Sequence, residues 1–216
     1  MQALHGPGGW FARSYFVERG EGNLLVSPLL YRPSIAEWME DHGGLALIFV
    51  THSDEVGDAL PWVGRSSRGP FPRRIPACQY KERFGCQIAL HELDATHLEE
   101  CAVDLAWTDD FRPAPDLLLI HAPRETPGSA ALLLHHHGRH ILFCGDDLGL
   151  DAKGQIISLP TGKPPSPETR KAWSKLLHFR FDALIPLHTR QESPHPFLLG
   201  DARAALRQAL SALGEE

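Results

Sequence analysis

Apolar residues in this chain come in short runs, and the clearest is the unbroken stretch from Leu45 to Val50. A run that short predicts a strand covered on both faces. It leads directly into Thr51-His52-Ser53-Asp54-Glu55-Val56-Gly57-Asp58, an imidazole followed by several carboxylates. Loops after such strands are where α/β proteins place their chemistry. Before this run, Trp10 to Val17 and Asn23 to Val26 predict two strands joined as a hairpin through Glu18 to Gly22. Ile35, Trp38, Met39 and His42 have helical spacing, with Ser34 and Glu37 as a capping box and Gly43 at the far end.

After the run, Asp54 is placed to cap a short helix toward Leu60 that Pro61 would stop, with Asp54 and Asp58 on one face. Gly64 to Arg74 reads as a loop, and Cys86 to Leu93, Cys101 to Trp107 and Leu117 to His121 as strands. Ala130 to His135 and His140 to Cys144 predict a hairpin around His136-His137-Gly138-Arg139. Ser166 to His178 and Ala202 to Leu213 predict helices, and Ala183 to Leu187 a last buried strand. The two halves share a pattern of hairpin, helix and buried strand ending in histidine (His52, His188). That pattern predicts an α/β fold of two packed sheets with helices outside.

Composition narrows the picture. The 216 residues, 43% apolar and 22% charged, suit one globular domain over residues 1–216. A formal charge of -6 argues against charge-driven binding of nucleic acid. No apolar run reaches the roughly 18 residues of a membrane span, and the first nine residues do not resemble a signal peptide. The expectation is a cytoplasmic protein acting on a small molecule, with oligomeric state open. Cys78, Cys86, Cys101 and Cys144 have no Cys-x-x-Cys spacing, and the last three read as buried thiols.

Four segments carry a resemblance. Phe49-Val50-Thr51-His52, His121-Ala122-Pro123-Arg124-Glu125-Thr126-Pro127-Gly128-Ser129, Leu142-Phe143-Cys144-Gly145-Asp146-Asp147-Leu148 and Leu184-Ile185-Pro186-Leu187-His188 resemble, in order, the metal-binding segments of the metallo-β-lactamase superfamily. The resemblance spans nearly the whole chain and implies an αββα sandwich, two mixed β-sheets flanked by helices. It also implies one or two metals that activate water, with Asp146 between them.

The departures are as plain as the matches. Asp54 stands where the family has its second histidine, and Glu125 where it has the histidine before Thr-Pro-Gly-Ser. Asp58 matches the family aspartate only when two residues are inserted, and Ala59 then replaces a histidine. A branch of the superfamily with a His-Arg-Asp-Asp-Val-Ala-Asp-His segment is similar to this one. The candidate metal ligands are therefore His52, Asp54, Asp58, Glu125, Asp146 and His188, with Asp146 and Asp58 as candidate catalytic carboxylates. Such a carboxylate-rich set favours a divalent metal such as manganese or iron, with zinc also open.

Blander readings stand beside these. Asp54 also reads as a helix cap, Asp58 as a solvated helix residue, and Glu125 as neutralised by Arg124. The run His135-His136-His137 reads as a solvated turn, and the arginines of 65–74 as solubilising. Three rival functions remain open: a metal-free binding protein on the same fold, a mononuclear iron oxidoreductase, and a nuclease.

Overall fold

The structure, a computed structural model, describes residues 2–5, 10–55, 74–145, 148–158 and 166–212. Its first half runs β1 (Gln2–His5), β2 (Trp10–Val17), β3 (Leu24–Val26), α1 (Pro33–Asp41), β4 (Leu47–Phe49) and a 3-10 turn (Ser53–Glu55). Then come α2 (Pro76–Phe84), β5 (Gln87–His91), α3 (Glu92–Ala95), β6 (Leu105–Trp107), β7 (Phe111–Ala114) and β8 (Leu117–His121). The hairpin of β9 (Ala130–His136) and β10 (Arg139–Phe143) precedes β11 (Leu148–Leu150) and β12 (Ile156–Ser158). The chain closes with α4 (Pro167–Leu176), β13 (Ala183–Ile185), β14 (His188–Arg190), β15 (Leu198–Leu199) and α5 (Ala202–Ala212).

Two mixed sheets result. The first has the order β12-β11-β14-β2-β3-β4-β5-β6, with β1 also beside β2, and the second β15-β13-β10-β9-β8-β7. Strands β3 to β6 are parallel to one another, while β2 is antiparallel to β3 and β9 to β10.

The unbroken apolar run now has its explanation. Side chains alternate across a strand, so Leu47 and Phe49 face the second sheet while Ile48 and Val50 face helices. Between the sheets, Leu24, Val26, Leu47 and Phe49 pack with Leu117, Leu119, Leu132, Leu134 and Phe143. On the outer face of the first sheet, Ile48, Ile88 and Leu90 share a core with Ala36, Met39 and Tyr80 of α1 and α2. On the far side, Ile120, Leu142 and Leu184 share one with Trp173, Leu176 and Leu206 of α4 and α5. Helices therefore cover both outer faces, and the architecture is an αββα sandwich. No helix among the described residues is long and apolar enough to cross a membrane.

Several local expectations need correction. Helix α1 begins at Pro33, with Arg32 at the cap and no side-chain cap hydrogen bond, so Ser34 and Glu37 form no capping box. Proline with its fixed φ starts the helix two residues earlier than a Ser34 cap would. The strand expected over Cys101 to Trp107 is only Leu105–Trp107. Cys101 is no thiol: it is bonded to Cys78, with Cα atoms 5.7 Å apart. Helix α2, which carries Cys78, and the short α3 were not anticipated. Among the free cysteines Cys86 and Cys144 are buried as expected, and burial pushes the Cys86 thiol up to about 12.

Candidate functional site

The four segments singled out by the sequence meet at one end of the sandwich. The Ala130 N–H donates to the Thr51 carbonyl at 2.8 Å, and the Leu187 N–H to the Gly145 carbonyl at 2.7 Å. Gly145 has a left-handed φ of 69°, and a Cβ there would lie 3.3 Å from Thr51 Oγ1. Glycine is what allows this turn to pass so close to the β4 loop. The Tyr15 hydroxyl adds a hydrogen bond to the Pro186 carbonyl at 3.1 Å.

His52, 2% exposed, is anchored through its ring Nδ1. Its Nδ1 lies 2.9 Å from Thr51 Oγ1 and 3.5 Å from Glu55 Oε1. Thr51 Oγ1 also makes a very short hydrogen bond to Glu55 Oε1. A hydroxyl has one proton, and an ionised carboxylate only accepts. With Glu55 ionised, Thr51 donates to Glu55 and accepts from His52, which puts a proton on Nδ1. Glu55 is held in turn by the Ser27 hydroxyl, which donates to Oε1 at 2.9 Å. Ser27 sits at φ 55°, a strained conformation for a non-glycine residue, at the end of β3.

A second buried carboxylate staples two of the loops. Asp94, fully buried in α3, accepts from the Ser53 N–H at 2.8 Å, the Gly128 N–H at 3.0 Å and the Thr126 hydroxyl at 2.5 Å. Gly128 is packed so tightly that a Cβ would come within 2.5 Å of Asp94 Cγ. One side chain thus fixes the loop of Asp54 to the loop of Glu125.

Asp54 is half-buried in the 3-10 turn, Glu125 is exposed in the β8–β9 connection, and His188 is half-buried at the start of β14. Asp58 and Asp146 lie outside the described residues, as does the helix expected from Asp54 toward Leu60 beyond Glu55. Among the described residues, no group of three or more histidine, cysteine, aspartate or glutamate side chains is arranged to hold a metal ion. Arg124 lies with its guanidinium over the Trp173 ring, 5.6 Å from the centroid. His121, left out of the candidate set, stacks on His91 at 3.9 Å and places Nε2 2.9 Å from the Pro127 carbonyl. Burial holds the His91 pKa below its ordinary value. Of the histidine run, only His137 lies in the β9–β10 turn, with Gly138, while His135 and His136 end strand β9.

Glu55 and Asp94 are not among the ligand candidates that the sequence suggests. Each is an acidic residue just past a buried parallel strand, and that position was the available signal.

No family model matches the sequence, and neither does any curated protein. Solved structures do match. A metallo-β-lactamase from Cronobacter sakazakii, described by its HARLDQ motif, is 12% identical with a TM-score of 0.63, over 100% of this chain and 93% of that one. A B3 metallo-β-lactamase described as having an active-site glutamic acid is 13% identical with a TM-score of 0.56, over 96% and 88%. TTHA1623 in a di-iron-bound form is 18% identical with a TM-score of 0.57, over 94% and 97%. This chain has the metallo-β-lactamase fold.

Proposed function

We propose that this protein is a metal-dependent hydrolase of a small-molecule substrate, with an atypical, carboxylate-rich metal site. The observation that carries the reading is the meeting of the 51–55, 122–130, 144–145 and 186–188 segments at one end of the sandwich. His52, Asp54, Glu125, Asp146 and His188 would hold the metal, with Asp58 as a further carboxylate. Imidazole and carboxylate donors together suit manganese, iron or zinc. The di-iron form of one similar structure and the active-site glutamic acid of another support a divalent metal and the presence of Glu125.

The bound ion would supply a Lewis acid and an activated water at neutral pH. The chain's own groups do the rest. Glu55 and Thr51 hold the His52 ring with Nε2 presented away from them. Asp94 holds the Asp54 and Glu125 loops together. Asp146 and Asp58 are assigned the catalytic work, a carboxylate not engaged with the ion carrying the proton to the leaving group. The proposal also keeps the protein in the cytoplasm, where the Cys78–Cys101 pair would meet reductants.

Metal content of untagged protein, purified without chelator, tests the reading by mass spectrometry. About one or two equivalents of manganese, iron or zinc, lost in Asp146→Ala, is the expected result. No stoichiometric metal after reconstitution with each ion would overturn it and leave a metal-free binding protein.

A further inference from the structure

Side chains on β2 alternate between the helix-facing and the inter-sheet face. Tyr15 and Val17 belong to the core between the sheets, and Arg13 shares their face. Tyr15 packs edge-on against Phe143 at 5.6 Å, and its hydroxyl reaches Pro186. The Arg13 N–H donates to the Leu187 carbonyl at 3.0 Å. Because β2 is antiparallel to β3 with Tyr15 opposite Val26, residues before Tyr15 extend past the C-terminal end of β3, toward the site. Arg13 therefore lies on the inter-sheet side, beside the segment that carries His188.

Arg13 is only 9% exposed, and its guanidinium lies over the Phe11 ring, 5.0 Å from the centroid. Its Nε and Nη1 are buried, and no described residue offers either a hydrogen-bond acceptor. Thr189, fully buried, is the cross-strand partner of Phe11 and so faces the same way; its hydroxyl likewise has no partner among the described residues. A guanidinium keeps its proton at any physiological pH, so burial cannot be relieved by neutralisation. A buried charge of this kind calls for a counter-charge. The Nε–H and the Nη1 N–H point to different edges of the guanidinium, and each is a charge-assisted donor for one oxygen of an oxyanion.

We propose that Arg13, with the Thr189 hydroxyl beside it, is an anion subsite next to the candidate site, taking a carboxylate or phosphate group of the substrate. That the anion belongs to a substrate rests on the hydrolase reading; anion binding at Arg13 does not. Chelator-treated protein is titrated with inorganic phosphate and with acetate at constant ionic strength, following heat of binding and melting temperature. Saturable binding of one equivalent and a raised melting temperature are expected. Arg13→Met should weaken binding by at least about ten-fold, the scale of one charge-assisted pair. Arg13→Lys should fall between, and Thr189→Val should cost a few-fold. If Arg13→Met does not fold, the lysine and valine variants carry the comparison.

Two results would overturn the proposal. One is no anion binding to the wild type. The other is equal binding by wild type and the Arg13 variants. Anion binding without any metal binding would keep the subsite and sink the hydrolase reading. Metal binding without anion binding would do the reverse.

Discussion

The Glu55 carboxylate lies 3.5 Å from His52 Nδ1, with both residues 2% exposed. A carboxylate behind an imidazole sets its tautomer and raises its basicity, and losing one typically costs 10–100-fold in metal affinity. Glu55→Gln should therefore weaken metal binding by about that factor, measured by competition with a chelator. It should also lower stability by about 1–3 kcal/mol, since the Ser27 and Thr51 hydroxyls would face a weaker acceptor. Unchanged metal affinity would reduce Glu55 to a purely structural role.

Asp94 and Gly128 form a tighter pair. Asp94→Asn keeps the shape but turns one acceptor oxygen into a donor, facing N–H groups of Ser53 or Gly128. A loss of about 1–3 kcal/mol is expected in urea unfolding. Gly128→Ala should cost a similar amount by overpacking, because its Cβ would meet the buried Asp94 carboxylate. Since both changes strain one contact, their combination should be less than additive.

The Cys78–Cys101 bridge closes a loop with a sequence separation of 23. Chain-entropy arguments put its stabilisation at about 3 kcal/mol. Intact mass under non-reducing conditions should show two free thiols rather than four. Reduction should lower the melting temperature, and Cys78→Ala should mimic reduction. The same two segments are also joined by Arg74, paired with both Glu82 and Glu100, and by Lys81 with Asp104. The reduced protein should therefore remain folded.

Acid should reach the Arg19–Asp116 pair. Asp116 accepts from Arg19 Nε and Nη2, both at 2.8 Å, and these bonds hold its pKa below the ordinary carboxylate range. A lowered folded-state pKa contributes stability above the unfolded value of about 3.9. That contribution disappears as pH falls through the folded value. Asp116→Asn should thus be destabilised near neutral pH, by about 1–3 kcal/mol, and match the wild type in strong acid. Urea unfolding across the pH range reads the difference, and a constant gap would contradict the assignment.

Much of the fold was legible because burial on both faces leaves a plain mark. The run at Leu45 to Val50, apolar at every position, had to lie between a sheet and a helix layer. Helix α2 was hidden because its buried residues are small or mixed in character, namely Pro76, Ala77, Cys78 and Tyr80 among Gln79, Lys81, Glu82 and Arg83. The Cys78–Cys101 pairing depends on how that helix packs, which residue spacing does not reveal. His188 was read as the end of the Ala183 strand. In the structure β13 stops at Ile185 and the chain crosses to the other sheet before His188. Glu55 was visible as one acid among several. Its partner Ser27 is distant in sequence, so its role could not be read locally.

Strand β14 lies in the interior of the first sheet, with Ala12 paired to His188 and Gly149 on its other side. The middle of that sheet is thus assembled from nearly opposite ends of the chain. During synthesis, β2 must wait with its β14-facing edge unpaired until that distant strand emerges. Such late, distant pairing slows folding and leaves a strand edge open to other chains. The same late strand delivers His188, so the candidate site would become complete only when the sheet itself does.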